Sequence, residues 1–109
     1  MNYKLINLTA HNINLILDNN KIQVIESSGL ARCIVETEHV DNINGIPVYR
    51  NKFTDVIGLP DEEKDTVYVV SRIVAEAVKG KRFDCIIVDK TIRDEKKFII
   101  GCKGFAVIR

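Results

Sequence analysis

The sequence predicts a small single α+β domain over residues 1–109, β-rich, with antiparallel hairpins and one βαβ unit at about residues 67–89. Three observations carry that expectation. A chain of 109 residues fits one domain and buries enough surface to fold without metals or disulfides. Its first half is cut into short Ile-, Leu- and Val-rich runs by turn residues. Its second half holds VYVVSRIVAEAVKGKRFDCIIVD, an apolar run, a short amphipathic stretch and a second apolar run.

Residues 3–8, 13–17 and 21–25 are strand candidates, separated by Asn12 and by Asp18-Asn19-Asn20. Asn tolerates left-handed backbone angles, so two antiparallel hairpin-like connections are expected here. After Ser27-Ser28-Gly29, residues 30–40 alternate, with Ala31, Cys33, Val35 and Thr37 against Arg32, Ile34, Glu36 and Glu38, as a half-exposed strand does. Asn44-Gly45 is a hairpin turn signal, and residues 46–57 return as a second long strand. Pro47 lies near its start, where a missing donor does least harm.

Gly58-Leu59-Pro60 and the DEEKD run form an acidic, solvated loop. Residues 66–70 are continuously apolar, residues 72–79 place Ile73, Val74, Ala77 and Val78 on one helical face, and residues 83–88 are apolar again. A strand, a short helix and a strand make a parallel pair with a right-handed crossover. Continuous apolar runs suit strands covered on both faces. Residues 97–102 and 104–108 are two further short strand candidates.

Composition narrows the function classes. The net charge of +1 provides no global field for long nucleic acid or an anionic membrane. Cys33, Cys85 and Cys102 are odd in number and far apart, with no CxxC pair, so reduced and buried thiols in a cytosolic protein are expected rather than a zinc site. The N-terminal MNYKLINLTAHN lacks a basic segment followed by a long apolar core, and no apolar run approaches the ~18 residues of a membrane span. Neither GxGxxG nor GxxxxGK[ST] occurs, so no dinucleotide cofactor or P-loop is encoded in its usual form. His11 and His39 have no local nucleophile signature, and the acidic residues are scattered beside Lys or Arg, which argues against catalysis and against a metal.

In a parallel strand pair both carboxyl ends open at one sheet edge, where ligands of α/β sheets tend to bind. Ser71 and Asp89 are expected there. Ser71 stands just before the helix, where a hydroxyl can cap a free N–H and the dipole favours an anion. Arg72, Lys90 and Arg93 add cationic donors suited to phosphate, and Asp89 or Asp94 can accept from ribose hydroxyls. The plainer reading of the same residues is a helix cap at Ser71 and an exposed, self-compensating turn at Arg93-Asp94-Glu95.

The series NLTxH (Asn7, Leu8, Thr9, His11), GIPV at 45–48, GLP at 58–60, VYVVSRxVAEA at 67–77, RxD (Arg82, Asp84), DxxxRDE at 89–95 and IIGCxGF at 99–105 resembles a family of small phage and prophage proteins. The likeness covers nearly the whole chain, although members usually carry Pro where this sequence has Ala10, and often a more Gly-rich loop at Lys96-Lys97. It implies a phage or prophage context. By analogy of that context, the expectation is a homo-oligomeric counter-defence sponge of the bacterial host cytosol. It would sequester a phosphate-bearing nucleotide signal of the cyclic nucleotide or cyclic ADP-ribose type. Ser71, Arg72, Asp89 and Arg93, together with Asn7, Thr9 and His11, would line its site. The alternative is a protein-interaction module that works through the exposed β surface of residues 30–57.

Overall fold

The computed structural model describes residues 2–108. The apolar run before Ser71 becomes β6 (Thr66–Val69), the amphipathic stretch becomes α1 (Arg72–Ala77), and the second run opens β7 (Cys85–Arg93). β6 and β7 pair in parallel, with Tyr68 opposite Cys85 and Val69 opposite Ile86, so the strand–helix–strand unit forms as its pattern predicts. Tyr68, Val70, Cys85 and Ile87 pack on the helix side with Val74 and Ala75 of α1. Val69 and Ile86 point to the other side, against Ile13 and Cys102. Alternate side chains thus serve two cores, which is why the run is apolar without a break.

The remaining strands of the body are β1 (Lys4–Asn7), β2 (Ile13–Ile16), β3 (Ile22–Ile25) and β8 (Ile99–Ala106), giving a six-stranded sheet in the order β1-β6-β7-β8-β2-β3. Its mixed directions correct the expected pair of hairpins. Only β2 and β3 form one; β1 pairs in parallel with β6, from Lys4 opposite Thr66 to Asn7 opposite Val69. The chain does not turn back at Asn12 but crosses to β2, which pairs in parallel with β8 at Leu15 and Cys102. The two outer strands then meet at one corner, where Asn7 bridges Ser27 in parallel. The sheet is therefore curled into a partly closed barrel.

A second correction concerns the end of the chain. β7 does not stop at Val88 but runs on to Arg93 as the antiparallel partner of β8, with Asp89 opposite Gly104. β8 is one strand where two short ones are expected, because its backbone is paired on both sides, by β7 and by β2. Gly101 permits that approach, since a Cβ there would lie 2.7 Å from the carbonyl oxygen of Asn14.

β4 (Arg32–Ile43) and β5 (Ile46–Ile57) form a separate two-stranded sheet of 12 residues per strand. At about 3.3 Å per residue the ribbon is roughly 40 Å long, and it stretches the molecule to 54 × 40 × 23 Å. Asn44 and Gly45 take φ of 52° and 78°, as the hairpin signal requires. Cys33 and Val56 at its base pack on the core, but the alternation predicts a half-buried strand and most of the ribbon is exposed on both faces.

Candidate functional site

The registers set the ends of β1 and β6 level with the middle of β7. Asn7 lies opposite Val69 and Val69 opposite Ile86, so Thr9, Ser71 and Val88 come to one level at the carboxyl edge of the parallel strands. Of the expected site residues, Ser71 and Thr9 lie at that edge.

Ser71 sits there, exposed, as the N-cap of α1, and its Oγ accepts from Val74 N at 3.4 Å. A helix of six residues carries little dipole, and Ser71 serves it as a cap. Arg72 points to its own helix, 3.8 Å from Glu76, with both side chains exposed; such a pair contributes about 0–1 kcal/mol. Asp89 is inside the β7–β8 ladder, half-buried, and by alternation lies on the side of Cys85 and Ile87. Arg93 is five residues past Val88, roughly 16 Å along the strand, and its Nη1 donates to Lys97 O at 2.8 Å. Asp94 Oδ1 accepts from Lys96 N and Phe98 N, which makes it a hairpin brace. The expected phosphate corner of Ser71, Arg72, Asp89 and Arg93 is not assembled, because extension of β7 carries its last arginine away.

Asn7 is fully buried and spends its whole side chain on the fold. Its Nδ2 donates to His11 O at 2.9 Å and to Ile25 O at 3.0 Å, while Oδ1 accepts from Thr9 N at 2.9 Å and from Thr9 Oγ1 at 2.6 Å. Asn12 Oδ1 accepts from Ser27 N at 2.9 Å, and Ser27 Oγ donates to Thr9 O at 2.6 Å. These bonds seal the 8–12 crossing against the end of β3, so Asn7 supports the site without facing it.

Beside this crossing lies a cavity of about 400 Å³, lined by Thr9, His11, Asn12, Ile13, Asn14, Val88, Thr91, Ile99, Ile100, Gly101 and Cys102. Two of the expected site residues, Thr9 and His11, are here. Besides Asn12 of the crossing, the others that line it come from β2, β7 and β8, and the β2–β8 and β7–β8 pairings bring them together. No lining side chain is acidic, lysine or arginine. His39 is on the ribbon instead, 3.0 Å from Asn42 Oδ1 and 5.6 Å from the Tyr49 ring centre.

The RxD motif proves to be a brace. Arg82 Nε and Nη2 donate to the two carboxylate oxygens of Asp84 at 3.0 and 2.8 Å, and Nη2 also donates to Pro60 O at 2.8 Å. Glu62 lies 3.3 Å from Nε. Burial pushes the Asp84 carboxyl up, but the hydrogen bonds and charge of Arg82 more than offset it and hold it below the ordinary value. Burial pushes the Cys85 thiol up to about 11 and raises that of Cys102 as well. All three cysteines are free, Cys33 being the half-buried one.

Among the described residues no group of three or more metal-ligating side chains occurs, and no helix is long and apolar enough to cross a membrane. Compared with protein-family models, curated proteins and solved structures, the chain gives no match.

Proposed function

We propose that this protein is a non-enzymatic interaction module, of phage or prophage context, that works through the β4–β5 ribbon and that a second copy of the chain covers the ribbon's apolar face. The observation that carries this reading is the division of the ribbon into two faces. On one, Glu36 stands opposite Lys52 and Glu38 opposite Arg50. On the other, Val35 stands opposite Phe53 and His39 opposite Tyr49, with Thr37 and Asn51 between them hydrogen-bonded to each other at 3.1 Å, and Val35, Phe53 and Tyr49 are all about half exposed, at 47%, 47% and 55%.

A free two-stranded hairpin is marginal in water, and large exposed apolar faces mark contact surfaces. The charged face is compensated within the ribbon, so it requires no charged partner and can stay wet. The apolar face carries no acidic, lysine or arginine side chain among those pairs, so two copies can meet there about a two-fold axis without like charges opposed. Light scattering on the purified protein should give a dimer or a higher multiple. Tyr49→Lys with Phe53→Lys should give a monomer whose thermal transition is retained. A monomeric wild type, or a double variant that assembles as before, would overturn the reading.

Ligand capture is the second reading, favoured by the cavity at the carboxyl edge that holds Thr9 and His11. A nucleotide signal of the cyclic nucleotide or cyclic ADP-ribose type would be held by its base, with its phosphate outside the cavity, and sequestered without conversion. Incubation with such signals, denaturation and mass spectrometry of the supernatant separates the cases. Intact ligand recovered from the protein supports a sponge, and a changed ligand means an enzyme.

A further inference from the structure

The cavity's lining indicates what it can hold. Ile13, Val88, Ile100 and Cys102 supply apolar walls, and its volume of about 400 Å³ lies within the range of small-molecule sites, about 300–1,000 Å³. Three of the side-chain polar atoms in the lining are committed, Thr9 Oγ1 to Asn7 and His11 O, Asn12 Oδ1 to Ser27 N and Asn14 Nδ2 to Ile100 O at 3.3 Å, while Asn12 Nδ2 and Asn14 Oδ1 sit on the exposed crossing and β2 edge. The imidazole of His11 and the hydroxyl of Thr91 enter no such bond. A His ring offers one donor and one acceptor when neutral, and a Thr hydroxyl offers both.

We propose that this cavity binds an uncharged heteroaromatic ring, with the apolar walls on its body and His11 and Thr91 on its donor and acceptor edge, and that it does not hold phosphate. With no lysine or arginine in the lining, a buried anion would lose its hydration without a compensating charge. A neutral ring would lose little and would place its polar edge against His11. The proposal is independent of the ribbon, and a ribbon variant that no longer self-associates should still bind the ring.

The test uses the full-length chain labelled with nitrogen-15 and three probes at millimolar concentration: benzimidazole, adenosine and inorganic phosphate. Both ring probes should move amide resonances of residues 9–14, 88–91 and 99–102, while phosphate leaves them in place. Ile100→Trp, at a half-exposed lining position, should fill the space and abolish the shifts in a protein that still melts cooperatively. Thr91→Trp is the second filling variant should the first not fold, and His11→Ala should weaken adenosine several-fold. The proposal falls if neither ring moves those resonances, if both folded filling variants bind as before, or if phosphate moves them as far as the rings do.

Discussion

Asn7 Nδ2 donates to the carbonyl of Ile25 at 3.0 Å, across the corner where the first strand of the sheet meets the last. A buried amide therefore helps to close this corner, beside the bonds of Ser27 to Thr9 and Asn12, and through His11 O and Thr9 it shapes the wall of the cavity. Only an amide fits this role. Two donors and a doubly accepting oxygen are all in use, with no buried side-chain nitrogen or oxygen left unpaired among the described residues.

Asn7→Asp keeps the shape but replaces two donors with acceptors facing two carbonyls. Asn7→Ala removes the side-chain donor to Ile25 O and the acceptor of Thr9 N, leaving His11 O only its bond from Thr9 Oγ1. Each variant should lose about 2–4 kcal/mol in urea unfolding, the cost of several unsatisfied groups at a buried site. A loss below about 0.5 kcal/mol, the level of a surface change, would remove Asn7 from this role.

The Arg82–Asp84 brace sets an acid limit. Because the carboxyl is held below its ordinary value in the folded chain, its contribution is fully present above the unfolded pKa of about 4 and is lost as pH falls through the lower folded one. The melting temperature of the wild type should therefore drop as the pH is lowered from about 4 to about 2. Asp84→Asn should be less stable at neutral pH and should show a flatter profile over that range.

Thiol labelling should separate the cysteines. A thiol raised to about 11 is almost wholly protonated at neutral pH, and Cys85 and Cys102 are buried besides. Iodoacetamide at neutral pH should modify Cys33 in the folded protein and spare the other two, and all three should react in urea, as counted by intact mass.

Three glycines should rank by what an added methyl group meets. At Gly58, with φ of 83°, a Cβ would sit 2.3 Å from Leu30 O, so Gly58→Ala is both strained and blocked. At Gly101 the clash is with Asn14 O, and at Gly104 nothing lies within 4 Å. Loss of stability in urea should follow the order Gly58, Gly101, Gly104, with Gly104→Ala within about 0.5 kcal/mol of wild type.

Much of this fold can be read along the chain, because it rests on neighbours in sequence. Asn44-Gly45 determines the ribbon turn, since both residues accept positive φ at low cost. The unbroken apolar runs around Ser71 determine the strand–helix–strand unit, since each of its strands must satisfy two cores. Ser71 as a cap follows from its hydroxyl and its place. What the chain could not reveal is which strand lies beside which. Whether β1 turns back on β2 or pairs with β6 depends on a corner closed by residues 18 apart, Asn7 and Ile25. That β7 runs on past Asp89 depends on β8 offering it a ladder, and the extension carries Arg93 out of reach of Ser71. Local propensity and periodicity are carried by short windows of sequence, whereas strand order and the cavity between His11, Val88 and Ile100 are decided by long-range hydrogen bonding and burial, which only the folded chain satisfies together.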